Sequence, residues 1–212
     1  MVTRFDFLKY LAEVVDDALV IQWGAGEGGE WWHLRPYPPS LHSSCLGYTT
    51  AMGLGLALAL PHRRVVVIDT DGGLVFNLSV LCTLGNLRPP NLKIFVIDNE
   101  CYESIGGMPT ATAGRTDLAA IAKGAGIEHA ETARTLEELK DVTNRAFDDK
   151  ALYFIVAKVE KGTREVPTLF LDGIERKYQF VRYIEETENI HIITPGLQHA
   201  GKYDEATKKT TA

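Results

Sequence analysis

The sequence lacks the long apolar run that a membrane-spanning helix requires. No stretch approaches roughly 20 consecutive apolar residues, although 45% of the 212 residues are hydrophobic. The first residues also lack the apolar segment of a secretory signal. We therefore expect a cytoplasmic protein that has no membrane partner.

Cysteine is also scarce, and positive charges are fewer than negative charges. Cys45, Cys82 and Cys101 are odd in number and widely spaced, which excludes a disulfide framework and metal-binding cysteine pairs. Reduced thiols are typical of the cytoplasm. The chain has 22 Lys and Arg against 28 Asp and Glu, a net charge of −6. This balance argues against nucleic acid as the main partner.

The sequence does contain a regular alternation of short apolar runs and helical periodicity. Strands are expected near 18–23, 65–69, 92–97 and 152–158, with helices between them. One helix is expected over the apolar run 74–87, and another begins with a capping box formed by Thr135 and Glu138. This order predicts an α/β fold: a doubly wound parallel sheet with helices on both faces.

The chain length suits one main domain with an appendage. We expect residues 1–160 to form the α/β domain. Residues 161–200 are expected to form an extended segment over 167–172 and a helix that packs on the domain or on a partner. The apolar face of this helix is expected to carry Ile174, Tyr178, Val181 and Ile184. Residues 201–212 have no apolar periodicity and are expected to be a disordered tail.

Polar residues follow two neighbouring strands of the predicted sheet. The first strand ends in 69–73 (Asp-Thr-Asp-Gly-Gly) and the second in 98–100 (Asp-Asn-Glu). Ligands bind beyond the carboxyl ends of strands in such sheets, so Asp71 and Asn99 should meet there. Carboxylate and amide oxygens suit Mg²⁺. Glycines and a helix N-terminus suit a phosphate. Together they predict a metal–diphosphate site.

This spacing resembles the thiamine diphosphate (TPP) motif, which reads Gly-Asp-Gly followed downstream by Asn-Asn. The resemblance implies that Asp71, Asn99 and the backbone carbonyl of Cys101 bind Mg²⁺. Two positions depart from the motif, because Thr70 stands in place of the first Gly and Asp98 in place of the first Asn.

The wider sequence resembles the TPP-binding domain of sulfopyruvate and phosphonopyruvate decarboxylases, and most narrowly the separate β subunit. The resemblance covers roughly residues 3–185. It is carried by segments 53–61, 90–99, 106–110, 112–122 and 134–138.

The cofactor-binding residues are expected in loops at one edge of the sheet. The family's Gly-Ser-Met-Gly segment corresponds to residues 44–47, where Leu46 would pack against the bent cofactor. The residues after Asn99 would cover the diphosphate. The full set is Gly24, Ser44, Cys45, Leu46, Thr70, Asp71, Gly72, Gly73, Asn99, Cys101, Tyr102, Glu103 and Ser104.

Several features allow two interpretations. Residues 24–29 are either a mobile connector or a second phosphate-approaching loop. The aromatic stretch 31–40 is expected to be irregular and to favour a subunit interface over the active site. His42 either transfers a proton or is a satisfied or exposed histidine. Asp69 and Asp98 either orient cofactor groups or cap the backbone.

The resemblance also implies a second chain. In this family the glutamate that activates TPP lies on a pyrimidine-binding domain, for which this chain has no room. We expect a hetero-oligomeric 2-oxoacid decarboxylase subunit that is inactive without its partner. A non-catalytic degenerate subunit is one alternative, and an acetolactate-synthase-like carboligase component is the other.

The degenerate alternative is favoured by Thr70, Cys45, Leu46 and Glu103, which depart from the family. The resembled family usually has a small residue at the position of Glu103, and a carboxylate there would repel a diphosphate.

Overall fold

The central feature is a sheet of parallel strands. This computed structural model describes residues 2–23, 26–36, 38–167 and 172–193. Six strands pair in the order β2-β1-β3-β4-β8-β7, and β5 and β6 form a separate antiparallel hairpin. In chain order the strands are β1 (Leu19–Trp23), β2 (Ser40–Ser43), β3 (Val65–Thr70), β4 (Leu92–Asp98), β5 (Cys101–Tyr102), β6 (Met108–Pro109), β7 (His129–Ala133) and β8 (Tyr153–Lys158).

Helices cover both faces of the sheet. They are α1 (Arg4–Val14), α2 (Gly26–Leu34), α3 (Thr49–Ala59), α4 (Asp71–Val75), α5 (Ser79–Leu87), α6 (Leu118–Gly124), α7 (Leu136–Asp148) and α8 (Gly173–Glu188). One apolar cluster joins the sheet to α3, α5, α6 and α8, and a second joins it to α1, α2 and α7. The doubly wound α/β fold is therefore confirmed.

The central strands form because both of their faces are buried. All seven residues of β4 are buried, and a strand covered on both sides reads as a continuous apolar run. The edge strands β2 and β7 have no such run, since their sequences are Ser-Leu-His-Ser and His-Ala-Glu-Thr-Ala. The sequence analysis missed both for this reason.

Helix starts follow the capping residues. The hydroxyl of Thr3 accepts a hydrogen bond from the Asp6 backbone N–H, and Asp117 caps α6 in the same way. Thr135 and Glu138 form a full capping box at the start of α7, as predicted. The single helix expected over 74–87 is wrong, because the chain forms α4 and α5 with a turn between them.

The region 26–34 is helical. This corrects both the loop expected at 24–29 and the irregular structure expected at 31–40. Glycine weakens helix propensity, but α2 buries Trp31 completely in the second apolar cluster. The Trp31 indole N–H donates to the Ser40 hydroxyl at 3.0 Å. The helix is therefore stabilised by packing, and Trp31 is a core residue of this chain, whereas a subunit interface was favoured for this stretch.

The C-terminal helix packs on this chain's own sheet. Phe180 and Ile184 of α8 belong to the first apolar cluster, whereas Ile174 and Tyr178, expected on the apolar face, are exposed. Most of the expected extended segment and the tail 201–212 lie outside the described residues. The domain boundary at residue 160 stays a prediction.

Within the described ranges, no helix is both long and apolar enough to cross a membrane.

Candidate functional site

A cavity of about 690 Å³ lies at the carboxyl ends of the central strands. Strands β3 and β4 are parallel neighbours, and Thr70 pairs with Ile97 at their ends. Asp71 and Asn99 therefore leave the sheet at the same edge, and both line the cavity. Trp23, at the end of β1, lines it too, so the cavity lies where the strand order reverses.

Asp71 is held by two hydroxyl groups from a distant loop. Its Oδ2 atom accepts hydrogen bonds from Thr110 Oγ1 at 2.6 Å and Thr112 Oγ1 at 2.9 Å. Thr112 Oγ1 also lies 2.8 Å from Asp98 Oδ1. All four side chains are buried. These contacts hold the Asp71 carboxylate in one orientation, because a change of rotamer would break them.

In the described part of the chain, no cation balances the charge of Asp71. Burial raises the pKa of Asp71, and repulsion from Asp98 raises it further against the hydrogen bonds from Thr110 and Thr112. Asp98 pairs with Lys158 at 2.8 Å, but no cation within the described ranges forms an ion pair with Asp71. A bound cation would therefore relieve both the burial penalty and the repulsion.

Asn99 presents an amide oxygen in a constrained turn. Its Oδ1 atom accepts a hydrogen bond from the Cys101 backbone N–H at 3.1 Å, and an amide oxygen keeps a second lone pair for another ligand. Glu100 between them has φ of +60°, a left-handed conformation that costs about 1–2 kcal/mol. The ion pair of Glu100 with Lys158, at 2.7 Å, helps to hold this strained residue.

The turn after β3 explains why threonine replaces the family's first glycine. Thr70 has φ −115° and ψ 157°, an extended conformation that requires no glycine. Its hydroxyl accepts a hydrogen bond from the Gly73 N–H at 3.0 Å and caps α4. Gly72 is required for a different reason, because a Cβ atom there would collide with the Tyr102 ring.

Glu103 also departs from the family, which usually has a small residue there, and the structure gives a reason for its tolerance. Its carboxylate bonds with the buried Arg4 at 3.2 Å and with the backbone N–H of Gly162. Burial alone would raise the pKa of Glu103, but these bonds outweigh it and the pKa is lowered.

Most of the predicted cofactor residues line the cavity. They are Leu46, Thr70, Asp71, Gly72, Gly73, Asn99, Cys101, Tyr102, Glu103 and Ser104. Ser44 and Cys45 are exposed and do not belong to the lining, because the turn at 44–47 brings only Leu46 to the cavity. Gly24 lies outside the described residues. The role of each predicted residue toward a cofactor stays a prediction.

The sequence analysis missed several residues of the site. Thr110 and Thr112 lie in family-like segments, but their contacts with Asp71 depend on how the β5–β6 hairpin folds back. Arg4 and Thr163 lie far from the motif and carry no sequence signal. The cavity lining that was not predicted comprises Arg4, Trp23, Phe76, Ile97, Ile105 and Thr163, whereas Gly26 lies in the 24–29 segment for which a phosphate-approaching loop was one interpretation.

Two remaining candidates, His42 and Asp69, do not line the cavity. His42 on β2 does not line the cavity, and burial together with repulsion from Arg176 lowers its pKa to about 4. Asp69 Oδ2 accepts hydrogen bonds from the Thr50 backbone N–H at 3.2 Å and hydroxyl at 2.6 Å. Asp69 thus joins the start of α3 to the end of β3, the capping role that was one of its two interpretations.

Comparison with protein families identifies this architecture. Residues 29–157 match the model of the thiamine pyrophosphate enzyme, C-terminal TPP binding domain. The matched region is more than half of the chain. The fold and this match define an α/β domain of the TPP-binding type, and the chain belongs to the thiamine pyrophosphate enzyme family.

Two sulfopyruvate decarboxylase beta subunits match this chain over almost their whole length. The chain is 30% identical to sulfopyruvate decarboxylase subunit beta of Methanocaldococcus jannaschii, over 87% of this chain and 98% of that protein. The same subunit of Methanothermobacter thermautotrophicus is 31% identical, over 87% of this chain and 96% of that protein. Phosphonopyruvate decarboxylase of Streptomyces viridochromogenes is 30% identical, over 79% of this chain and 40% of that protein.

Solved structures share the fold. Benzoylformate decarboxylase from Polynucleobacter necessarius superposes with a TM-score of 0.66 at 20% identity, over 77% of this chain and 34% of that chain. This chain therefore spans about a third of that protein, and the likeness concerns the fold.

Replacement of Gly72 tests the packing of this turn. We expect Gly72→Ala to lower the free energy of unfolding by about 1–3 kcal/mol, because the new methyl group displaces the Tyr102 ring. Urea denaturation measures this change. Gly55→Ala is the matched control, since a Cβ atom at Gly55 meets nothing within 4 Å and alanine favours a helix. Equal tolerance of the two substitutions would contradict the predicted clash.

Proposed function

We propose that this chain is the TPP- and Mg²⁺-binding subunit of a cytoplasmic, heteromeric 2-oxoacid decarboxylase that acts on a sulfopyruvate- or phosphonopyruvate-like acid. One observation carries the proposal. Asp71 and Asn99 follow paired strands and line one cavity, where the buried Asp71 carboxylate pairs with no cation in the described part of the chain. The names of the relatives supply the reaction and the substrate class.

The residues present fit the proposed cofactor. The Asp71 carboxylate, the Asn99 amide oxygen and the Cys101 carbonyl are hard oxygen ligands, and Mg²⁺ leaves its other positions to water and phosphate oxygens. Gly72 and Gly73 line the cavity without side chains, which allows the backbone to approach a diphosphate. The cavity volume of about 690 Å³ is within the usual range for small-molecule sites.

Bound TPP would supply an electron sink for the loss of CO₂ from a 2-oxo acid. The chain's own contribution is to bind and orient this group. Thr110 and Thr112 hold the Asp71 carboxylate in one orientation. Trp23, Phe76 and Ile105 add apolar surface to the cavity lining.

The activating glutamate is proposed to belong to a partner subunit that carries a pyrimidine-binding domain. Asp71 and Glu103 are the carboxylates in the described cavity lining, and both are engaged by other groups. Phe76 and Ile105 at the cavity have 66% and 68% of their surface exposed. Such apolar exposure is typical of an interaction surface. The relatives' designation as a beta subunit agrees with a partner.

The degenerate, non-catalytic alternative depended on Thr70, Cys45, Leu46 and Glu103. Two of these departures now have structural explanations, because Thr70 caps α4 and Glu103 pairs with Arg4. We therefore favour the catalytic subunit. An acetolactate-synthase-like carboligase would form a different product from a decarboxylase, and the fold does not determine which product is formed.

Calorimetry with TPP and Mg²⁺ tests the proposed ligands. We expect the wild-type chain to bind TPP only when Mg²⁺ is present, because the ion carries the diphosphate. Asp71→Ala and Asn99→Ala should each weaken this binding by about 100-fold or more, since they remove direct ligands. Asp141→Ala, at an exposed carboxylate on α7, is the control and should bind normally. Metal-independent binding, or normal binding by Asp71→Ala, would refute the proposed metal site.

Reconstitution with a pyrimidine-binding subunit tests the division of the active site. The chain alone should release CO₂ from sulfopyruvate, phosphonopyruvate or pyruvate about 10²- to 10⁴-fold more slowly than the complex, because it lacks the activating acid. Product analysis of the three reactions separates decarboxylation from carboligation. Rapid turnover by the isolated chain would exclude a shared site, and formation of a coupled product would favour the carboligase.

A further inference from the structure

A buried ionic cluster forms one wall of the cavity. Arg4, the first residue of α1, donates from Nε to Glu30 Oε2 at 2.9 Å and from Nη1 to Glu103 Oε2 at 3.2 Å. Arg4 and Glu30 are 3% and 1% exposed in their side chains. Arg4 and Glu103 both line the cavity. The ion pairs thus join the first two helices to the loop that follows Asn99.

The segment after β8 completes this cluster. The Glu103 carboxylate accepts hydrogen bonds from the Gly162 N–H and, at 3.2 Å, from the Thr163 hydroxyl. The Thr163 hydroxyl in turn accepts from Arg4 Nη2 at 2.7 Å. We call Arg4, Glu30, Glu103, Gly162 and Thr163 the Arg4 cluster. It connects four segments that are far apart in the chain.

The cluster directs the Glu103 carboxylate toward Arg4. In this orientation the negative charge is paired with a guanidinium and with an N–H donor. A carboxylate released from these contacts beside the cavity would repel an anionic ligand, because its negative charge would no longer be paired. The pairing therefore has a consequence for the cavity as well as for the fold.

The same anchor fixes the neighbouring residue. Tyr102 precedes Glu103, and its ring lies so close to Gly72 that no Cβ atom would fit between them. The ring also packs edge-on against Phe76, with centroids 6.4 Å apart. Tyr102, Ser104 and Ile105 all line the cavity. Glu103, held by the Arg4 cluster, therefore keeps segment 102–105 packed against the turn that carries Asp71.

We propose that Glu103 is a positioning residue for TPP binding, which acts through the Arg4 cluster to hold segment 102–105 against Gly72. This inference rests on the proposed function. The effect that it predicts on TPP binding is opposite in sign to the effect expected from charge repulsion alone. Removal of a negative charge near an anionic ligand should tighten binding, whereas loss of the anchor should weaken it.

The test compares Glu103→Gln and Thr163→Val with the wild-type full chain. Substitutions of Arg4 are avoided because they would leave Glu30 buried and unpaired. Glu188→Gln is the matched control. Glu188, the last residue of α8, is a half-buried carboxylate that pairs with Arg63 and does not line the cavity. Three quantities are measured: the unfolding temperature, amide hydrogen exchange without ligand, and the TPP dissociation constant with Mg²⁺.

We expect Glu103→Gln to weaken TPP binding about tenfold or more and to speed exchange in 101–109 and 160–164. Thr163→Val should act in the same direction but less, because it keeps the charge pair. Glu188→Gln should leave TPP binding and the exchange of these segments unchanged. Tighter or equal TPP binding by Glu103→Gln, or unchanged exchange in 101–109, would overturn the inference.

Two other results are decisive. If Glu103→Gln lowers the unfolding temperature and speeds exchange throughout the chain, its role is general stability and the positioning role is wrong. If the wild-type chain binds no TPP with Mg²⁺, the proposed function fails and the positioning role falls with it. Normal wild-type binding with no loss in Glu103→Gln rejects the positioning role alone.

Discussion

The register between β3 and β4 is the constraint on which the site depends. Thr70 pairs with Ile97, so the next residues of both strands emerge side by side at one edge. A shift of one residue would turn every side chain of a strand to the opposite face. The complete burial of β4 makes such a shift costly, because it would exchange the side chains packed in the two apolar clusters. The core of the sheet therefore fixes the position of Asp71 relative to Asn99.

The loop after β4 converts this position into a site. The chain passes through the strained Glu100, forms the β5–β6 hairpin and returns Thr110 and Thr112 to Asp71. Burial of a carboxylate next to Asp98 is unfavourable for folding on its own. Such a local cost is typical of a site that is arranged to receive a charged ligand. The hairpin, the strain and the unbalanced charge thus all agree with the proposed metal site.

Much of the fold and part of the site could be predicted from the sequence. The buried strands near 65–70 and 92–98 have apolar runs, and polar strand ends mark the edge where Asp71 and Asn99 meet. The capping box at Thr135 could also be predicted from the sequence. By contrast, α2 contradicts its local propensity, because burial of Trp31 outweighs the cost of its glycines.

Other parts of the site could not be predicted because they depend on contacts distant in sequence. Glu103 looked unfavourable beside a diphosphate until its bonds with Arg4 and Gly162 were known. Thr110 and Thr112 were visible only as parts of family-like segments. No local pattern indicates that their hydroxyls reach Asp71, since this depends on the path of the intervening hairpin.

A crystal structure of the chain with TPP and Mn²⁺ tests the central proposal most directly, because the anomalous signal of manganese locates the metal ion. We predict one ion bound jointly by the Asp71 carboxylate, the Asn99 amide oxygen and the Cys101 carbonyl, with the diphosphate completing its ligands. An ion that binds elsewhere, or a diphosphate that binds away from Asp71 and Asn99, would contradict the proposal.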